Sequence, residues 1–574
     1  KVIFSGVSPI VYLGGFCGRY EEENHTVEFQ NSTTGSVEFS GEAPVAAFIG
    51  GIGGLAGTVT ISRSGYGNIT SITMGNLSKG GTFKGMTNNG NVTLTGTAPK
   101  VYISGGFGYV GSAKEGIANI VNNGTITVPL NTEAAYPEKI YVGGIFGYAN
   151  MAVAYPSSAG SIVEKNVIRD CHNTGNVNYY GIARDGACVG GIVGRASKAP
   201  VYDCANDGDI TSKGNAGDLS PLVGNESAEK VDAHEYANYH DMALAIGGVI
   251  GMTDLDVANC LNSGNVEHEC VLSPLRISYI GELATSRFDV GGIIGRVFTP
   301  EENTSAYYCT FSGMINNGDV TILGTPSATH CSPSADTESN GDYQWTDVDD
   351  YDRQNKRLFT RVNVAGLIGR MIDLSTFTGP RQENQYTISG CVNNAPVSVP
   401  EAGGAKCLSV AGGVADILVS NLDFNSVNNS GKISIDKAGV GAIINAKQMI
   451  HAYFINLGGI AATCFDYRYY TTIVNDITLS ASPEHAEHYV NFNQCTNSGD
   501  IHYGEVGASV YQCAGGMLGQ VLNTGGDRAS SKWYKTRVNI AFNGCKNSGN
   551  IDYISTAMNL NDGYNYNYAG GILG

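Results

Sequence analysis

Residues 171–194 read CHNTGNVNYYGIARDGACVGGIVG and hold two short boxes. The first is Cys171-x-Asn173-x-Gly175-x-Val177, and about a dozen residues later comes Gly190-Gly191-Ile192-x-Gly194. Taken alone, Asp170, His172 and Asp185 beside the cysteine suggest a metal or catalytic cluster. Comparison with the other copies along the chain removes that reading. His172 and the aspartates are not repeated, whereas the Cys, Asn and Gly positions and the glycine pair are.

The glycine boxes begin at Gly14, Gly50, Gly105, Gly143-Gly144, Gly190-Gly191, Gly247, Gly291, the variant Ala365, Gly412, Gly458, Gly515 and Gly570. One asparagine turn lies between successive boxes. The clear turns are Asn88–Gly90, Asn122–Gly124, Asn173–Gly175, Asn206–Gly208 and Asn262–Gly264, then Asn316–Gly318, Asn429–Gly431, Asn497–Gly499 and Asn547–Gly549. Asn31–Gly35 is a looser first copy and Asn393–Pro396 a degenerate one. Successive boxes lie from 36 residues apart (Gly14 to Gly50) to 74 (Gly291 to Ala365). Fixed boxes with variable connections are the signature of a solenoid, in which the stacked core keeps register and insertions leave on loops. Immunoglobulin-like units would be longer and more even.

Each box makes sense as β-structure. Runs such as Val92-Thr93-Leu94-Thr95 and Ile433-Ser434-Ile435 alternate with β-branched residues after the turn. Asn and Gly both tolerate positive φ, so Asn-x-Gly is expected to form a left-handed corner between two short strands. Paired glycines inside a strand mark close approach of another backbone or side chain. A phosphate cradle would need a helix after the glycines, and no helical periodicity follows any box. The sequence predicts an all-β, elongated parallel β-solenoid (β-helix) with irregular loop insertions. The array is continuous over 1–574, with insertions at 212–245 and 328–358. Lys1 is neither Met nor part of a signal peptide and already opens a strand-like run, which points to excision from a longer chain.

Composition bounds the function. There are 34 basic and 52 acidic residues, a net charge of −18 with no basic stripe, which argues against nucleic acid. No apolar run approaches the ~18 residues of a membrane-spanning helix. Of 14 cysteines, Cys171, Cys204, Cys260, Cys391, Cys495 and Cys545 share one repeat slot and are read as an internal column of buried thiols. The off-slot Cys17, Cys188, Cys270, Cys309, Cys331, Cys407, Cys464 and Cys513 are candidates for disulfides of undetermined connectivity. No Cys-x-x-Cys occurs.

The loops carry the remaining candidates. Asp347, Asp349, Asp350 and Asp352 form an acidic run with oxygen donors for Ca²⁺, but they lack the glycine and closing Glu of a helical calcium loop. A solvated acidic loop is the plainer reading, and no other cofactor is expected. Tyr467, Tyr469 and Tyr470, with Tyr564, Tyr566 and Tyr568, form aromatic clusters suited either to stacking on sugar rings or to covering a sheet face. Asn-x-Ser/Thr sequons stand at Asn24, Asn31, Asn68, Asn76, Asn91, Asn123, Asn225, Asn303 and Asn428, candidates for N-glycosylation in a eukaryotic source.

The pairing of a Gly-Gly-Ile/Val/Leu-x-Gly box with a downstream Asn-x-Gly-x-Val/Ile turn resembles the GLUG-type repeat of large adhesin-like surface proteins. The resemblance runs over residues 14–574 through these two boxes. The usual spacing in that family is tighter, and its turn commonly carries Tyr where this chain has Cys. The resemblance implies a cell-surface parallel β-solenoid used for adhesion or as a stalk, with Gly and Asn as architectural residues. The expected function is an extracellular structural or adhesive scaffold, not an enzyme. Its expected partners are surface glycans, other surface proteins, or copies of itself end to end. The alternatives are a glycan-binding module and a β-helix carbohydrate-active enzyme. The enzyme needs paired carboxylates across a groove, which the repeated core does not offer.

Overall fold

After each asparagine turn a short Val/Ile/Thr run pairs with its counterpart one coil away, because its inner side chains can be buried only by stacking. In the computed structural model the described residues are 1–21, 32–65, 69–75, 83–111, 116–131, 137–158, 166–183, 186–216, 244–269, 287–299, 308–324, 361–373, 384–402, 407–419, 421–438, 452–465, 487–506, 509–522, 537–555 and 566–574. They contain no helix and form a parallel β-solenoid, as the repeat predicts.

One coil shows the path. The chain runs through Ile168–Arg169, His172–Asn173, Val177–Tyr179, Gly186–Gly190 and Val193–Ser197. Each strand belongs to a different sheet, here called the first to the fifth, of ten, eleven, twelve, twelve and eleven strands. Pairing is parallel and in step, with Asn122 opposite Asn173 and Gly143 opposite Gly190. One excursion, Thr58–Arg63 with Ile69–Gly75, is an antiparallel hairpin.

Two expectations about local geometry are corrected. The glycine of Asn-x-Gly is not a left-handed corner. Positive φ falls instead on the residue before the cysteine slot: Asn119, Asp170, Asp203, Asn259, Ser426 and Gln494, with Gly85, Gly313, Gly390 and Gly544 in equivalent places. The turn glycine is required by close approach. A Cβ on Gly264 would stand 2.1 Å from the Gly208 carbonyl oxygen of the preceding coil. The second correction is one of register. Strand pairing aligns Ser104 and Ala411 with the first box glycines, so Gly105 and Gly412 occupy the second slot there rather than the first. Conversely, Asn393 is a full member of the asparagine column, with Ala395 in its glycine slot.

The interior has two apolar compartments. One lies between the third and fourth sheets and is built from Val and Ile, such as Val177, Ile210, Val189 and Ile246. The other is bounded by the fifth, first and second sheets and holds the residue after each glycine pair, such as Ile145 and Ile192, together with the cysteine slot. Cys171, Cys204, Cys260, Cys391 and Cys495 are buried free thiols, and Cys545 is a half-buried one, as the column reading expects. Burial and the thiols of Cys171 and Cys260 push the Cys204 thiol well up, and burial pushes Cys391 and Cys495 up to about 12. The off-slot Cys17, Cys188, Cys309, Cys464 and Cys513 are also free thiols, so they form no disulfide with one another. Cys270, Cys331 and the side chain of Cys407 lie outside the described residues.

Candidate functional site

Between the two compartments runs a column of asparagines, buried from Asn88 to Asn497 and half-buried at Asn547. From Asn88 the Nδ2 of each donates to the Oδ1 of the next, through Asn122, Asn173, Asn206, Asn262, Asn316, Asn393, Asn429 and Asn497 to Asn547, at 2.7–2.9 Å. The same nitrogen also donates to the backbone oxygen two residues on, as Asn206 does to Gly208 at 2.8 Å. Each buried amide is thus satisfied from both sides, as a polar group in a core must be. Thr34 takes the slot in the first copy and donates its hydroxyl to Asn88 Oδ1. The second glycine of each box faces this column: a Cβ on Gly144 would meet Asn173 Cγ at 2.5 Å, and one on Gly191 would meet Asn206 Cγ at 2.3 Å. The repeat residues Gly143, Gly190, Gly175, Gly264, Gly499 and Gly549 likewise sit against backbone oxygens at 1.9–2.1 Å from such a Cβ. The repeated motif is therefore architectural.

Chemistry specific to individual coils lies on outward columns. On the fourth and fifth sheets these columns face each other, and they change character along the axis. Near the start they are aromatic: Tyr12, Phe48, Tyr102 and Tyr141 stack at 4.7–5.3 Å, and Tyr109 stacks on Tyr148 at 5.5 Å. Arg19 lies over Tyr12 and Arg195 over Tyr148. Val59, Ile72 and Met74 of the hairpin pack against this cluster. Further on the same columns are charged. Arg296 donates to Asp289, Asn363 Nδ2 donates to Asp289 Oδ1 at 2.7 Å, and Arg370 pairs with Asp416 at 2.9 Å. Ser409 and Asn456 both reach Thr463 Oγ1 at 2.9 Å. All of these residues are buried. Burial pushes the Asp289 carboxyl up, but the Arg296 and Arg370 guanidinium groups and the Asn363 bond outweigh it and hold it below the usual range.

The first sheet offers a more open face. Up to Val257–Ala258 its strands are two residues long, but from Tyr308–Ser312 onward they lengthen to five and then seven residues. Cys309, Phe311, Leu422, Phe424, Val490 and Phe492 point inward, and Phe424, Phe492 and Phe542 stack at 4.7–4.9 Å beneath the sheet. The alternate residues point outward in three columns. The central column is Thr310, Thr387, Asp423, Asn491 and Ala541; the column toward the turn is Ser312, Ser389, Asn425, Asn493 and Asn543. The third is Tyr308, Gln385, Asn421, Tyr489 and Asn539. All but Asn421 keep access to solvent. The polar groups are tied laterally. Gln385 and Asn491 donate to the two Asp423 carboxylate oxygens at 3.1 and 2.9 Å. Asn543 donates to Asn493 and Asn493 to Asn425, at 2.8 and 3.0 Å.

The loop candidates fare differently. Asp347, Asp349, Asp350 and Asp352, the tyrosines Tyr467, Tyr469, Tyr470 and Tyr564, and the sequons at Asn24, Asn31, Asn68, Asn76, Asn225 and Asn303 lie outside the described residues. So do most of the insertion 212–245 and all of 328–358. Tyr566 belongs to the last strand of the fourth sheet, and Tyr568 is 47% exposed in the same outward column as Tyr12. Asn91 accepts from the Thr125 backbone N–H, whereas Asn123 Nδ2 donates to Asn89 and Asn428 Nδ2 to the Ser426 carbonyl. Among the described residues no group of three or more His, Cys, Asp or Glu is placed to hold a metal ion, and no helix is long and apolar enough to cross a membrane.

Sequence reasoning missed both outward surfaces, although each left a signal. The charged pair stands seven residues apart around a glycine box, in Asp289-Val-Gly-Gly-Ile-Ile-Gly-Arg296. The polar face appears as strict alternation before the cysteine turn, in Tyr308-Cys-Thr-Phe-Ser312 and Tyr489-Val-Asn-Phe-Asn493. In comparisons with known proteins, no family model, curated protein or solved structure matches the chain.

Proposed function

We propose that this chain is a structural and adhesive scaffold, a stiff extracellular spacer with no catalysis of its own, of the kind the GLUG-like boxes imply. The observation that carries the reading is the continuous asparagine column from Asn88 to Asn547, locked against the box glycines. The repeated Asn and Gly hold the coils in register, and the repeated cysteines face the interior. Outward positions, by contrast, vary from coil to coil, as befits a rod whose surface does the recognising.

A bead assay tests this reading. Beads coated with the native chain are expected to adhere to glycan-bearing cell surfaces more than beads coated with albumin or with the unfolded chain. Adhesion no greater than that of the albumin beads would overturn it.

A further inference from the structure

The strands of the first sheet lengthen only from residue 308 onward, and the added residues build an outward grid rich in amides and hydroxyls with two phenols, over an apolar floor in which Phe424, Phe492 and Phe542 stack. The core does not need this grid, since the same sheet closes earlier coils with two-residue strands such as Ile168–Arg169. We propose that this surface, from Tyr308 to Asn543, binds an extended, uncharged polysaccharide lying along the solenoid axis. The inference rests on the adhesive reading above and names its ligand class.

Three features select that occupant. The three columns carry no Lys or Arg and a single carboxylate, Asp423, whose oxygens are engaged by Gln385 and Asn491; Glu487 and Arg537, in register with each other at the start of the two longest strands, lie beyond them. That leaves little to attract a phosphate, a sulfate or a uronate, and the chain's net charge of −18 repels them. Secondly, each primary amide has two donor hydrogens and two acceptor lone pairs. In Asn493 one hydrogen goes to Asn425 and one lone-pair site takes the Asn543 amide, so donor and acceptor capacity remains for vicinal hydroxyls. Because those lateral bonds already hold the side chains, a ligand orders little on binding. Thirdly, equivalent residues recur at the strand spacing of ~4.8 Å, close to the advance of one sugar in an extended chain, so successive sugars meet successive coils. Tyr308 and Tyr489 border the grid with rings suited to the apolar faces of sugars.

Native affinity electrophoresis of the full chain provides the test, in gels containing hydroxyethylcellulose, galactomannan or, as the anionic comparison, polygalacturonate. Retardation is expected in at least one neutral gel and not in polygalacturonate. The double variant Asn491→Ala/Asn493→Ala is expected to weaken it at least tenfold, while Thr93→Ala/Thr127→Ala on the outer side of the third sheet leaves it unchanged. If the double variant fails to fold, Thr387→Arg replaces it, placing bulk at the centre of the grid. Retardation that survives whichever face variant folds, retardation by polygalacturonate alone, or none in any gel overturns the inference. Retardation without bead adhesion would keep this inference and remove the adhesive reading. Bead adhesion unchanged by the face variants, with no retardation, would do the reverse.

Discussion

Gly191 and Asn206 belong to different boxes, yet the side-chain amide of one occupies the space that a side chain on the other would need: a Cβ on Gly191 would stand 2.3 Å from Asn206 Cγ. The two motifs are thus halves of one contact repeated along the axis. Gly191→Ala is expected to force that amide out of line and to destabilise the local coils by about 1–3 kcal/mol, the range of overpacking. Hydrogen exchange at Val193 and Ile210 checks this, and protection equal to the parent chain would refute it.

Removing the amide itself breaks more. Asn206→Ala strips the Asn173 donor and the Asn262 acceptor of their buried partners, and the Gly208 carbonyl of its side-chain donor. At about 1–3 kcal/mol for each buried group left unsatisfied, the loss is expected to exceed that of Gly191→Ala. Urea unfolding followed by exchange should place the weakened segment at the coils around 173–262. Solenoids need not unfold in one step, so the local readout is preferred to a single midpoint.

The corner residues give a contrasting series. Gly544 has φ +64° and Asp203 has φ +54° in the same slot. Gly544→Asn is expected to be nearly neutral, because Asn tolerates the left-handed region, while Asp203→Val is expected to cost about 1–3 kcal/mol. Gly264→Val is destabilising for the other reason, its contact with the Gly208 carbonyl. Thermal melts of the three variants separate strain from crowding.

The ionic columns are expected to behave as a unit. Asp289→Ala takes the Asp289 carboxylate from the buried Arg296 and an acceptor from Asn363, a loss of about 3–5 kcal/mol. A melting curve within a degree of the parent would contradict that. The parallel Ser398→Ala change, on the outer side of the third sheet, serves as the control.

Acid titration should show two opposed contributions. Burial raises the Asp256 carboxyl to about 6, so the folded chain holds a proton that the unfolded chain has lost, and this stability is present below about pH 4 and lost as pH rises through 6. Burial lowers His268 to about 3, so its contribution is present above about pH 6.5 and lost as pH falls toward 3. Each proton changes stability by about 1.4 kcal/mol per pH unit inside its window. Asp256→Asn should therefore steepen the acid-side loss between pH 4 and 6, and His268→Gln should flatten it. Melting temperatures across that range read both.

Much of this fold was legible because stacking turns one-dimensional recurrence into columns. Cys171, Asn173, Gly175 and Gly190 could be picked out simply because they return. The contact between Gly191 and Asn206 could not, since period alone does not tell which columns face each other across the interior. The positive-φ corner was misplaced for a related reason: Asp170, Asn259, Gly313 and Gln494 share a backbone conformation but no side chain, so the slot leaves no letter in the repeat. The first-sheet face was hidden in plain alternation, because its inner residues change from Phe311 to Ile388 to Phe424 while keeping only their polarity.

The asparagine column has an electrical consequence. Backbone dipoles in a sheet largely cancel along the stacking direction, but all nine amide–amide bonds from Asn88 to Asn547 point the same way. Their partial charges add head to tail, with the oxygen end toward Asn88 and the N–H end toward Asn547, and neighbouring amides polarise one another. The solenoid therefore carries an axial macrodipole made of side chains, opposite in sense along the chain to the one a helix obtains from its backbone. Thr34 extends the same polarity by donating its hydroxyl to Asn88 Oδ1, so the column gives the solenoid a chemical direction.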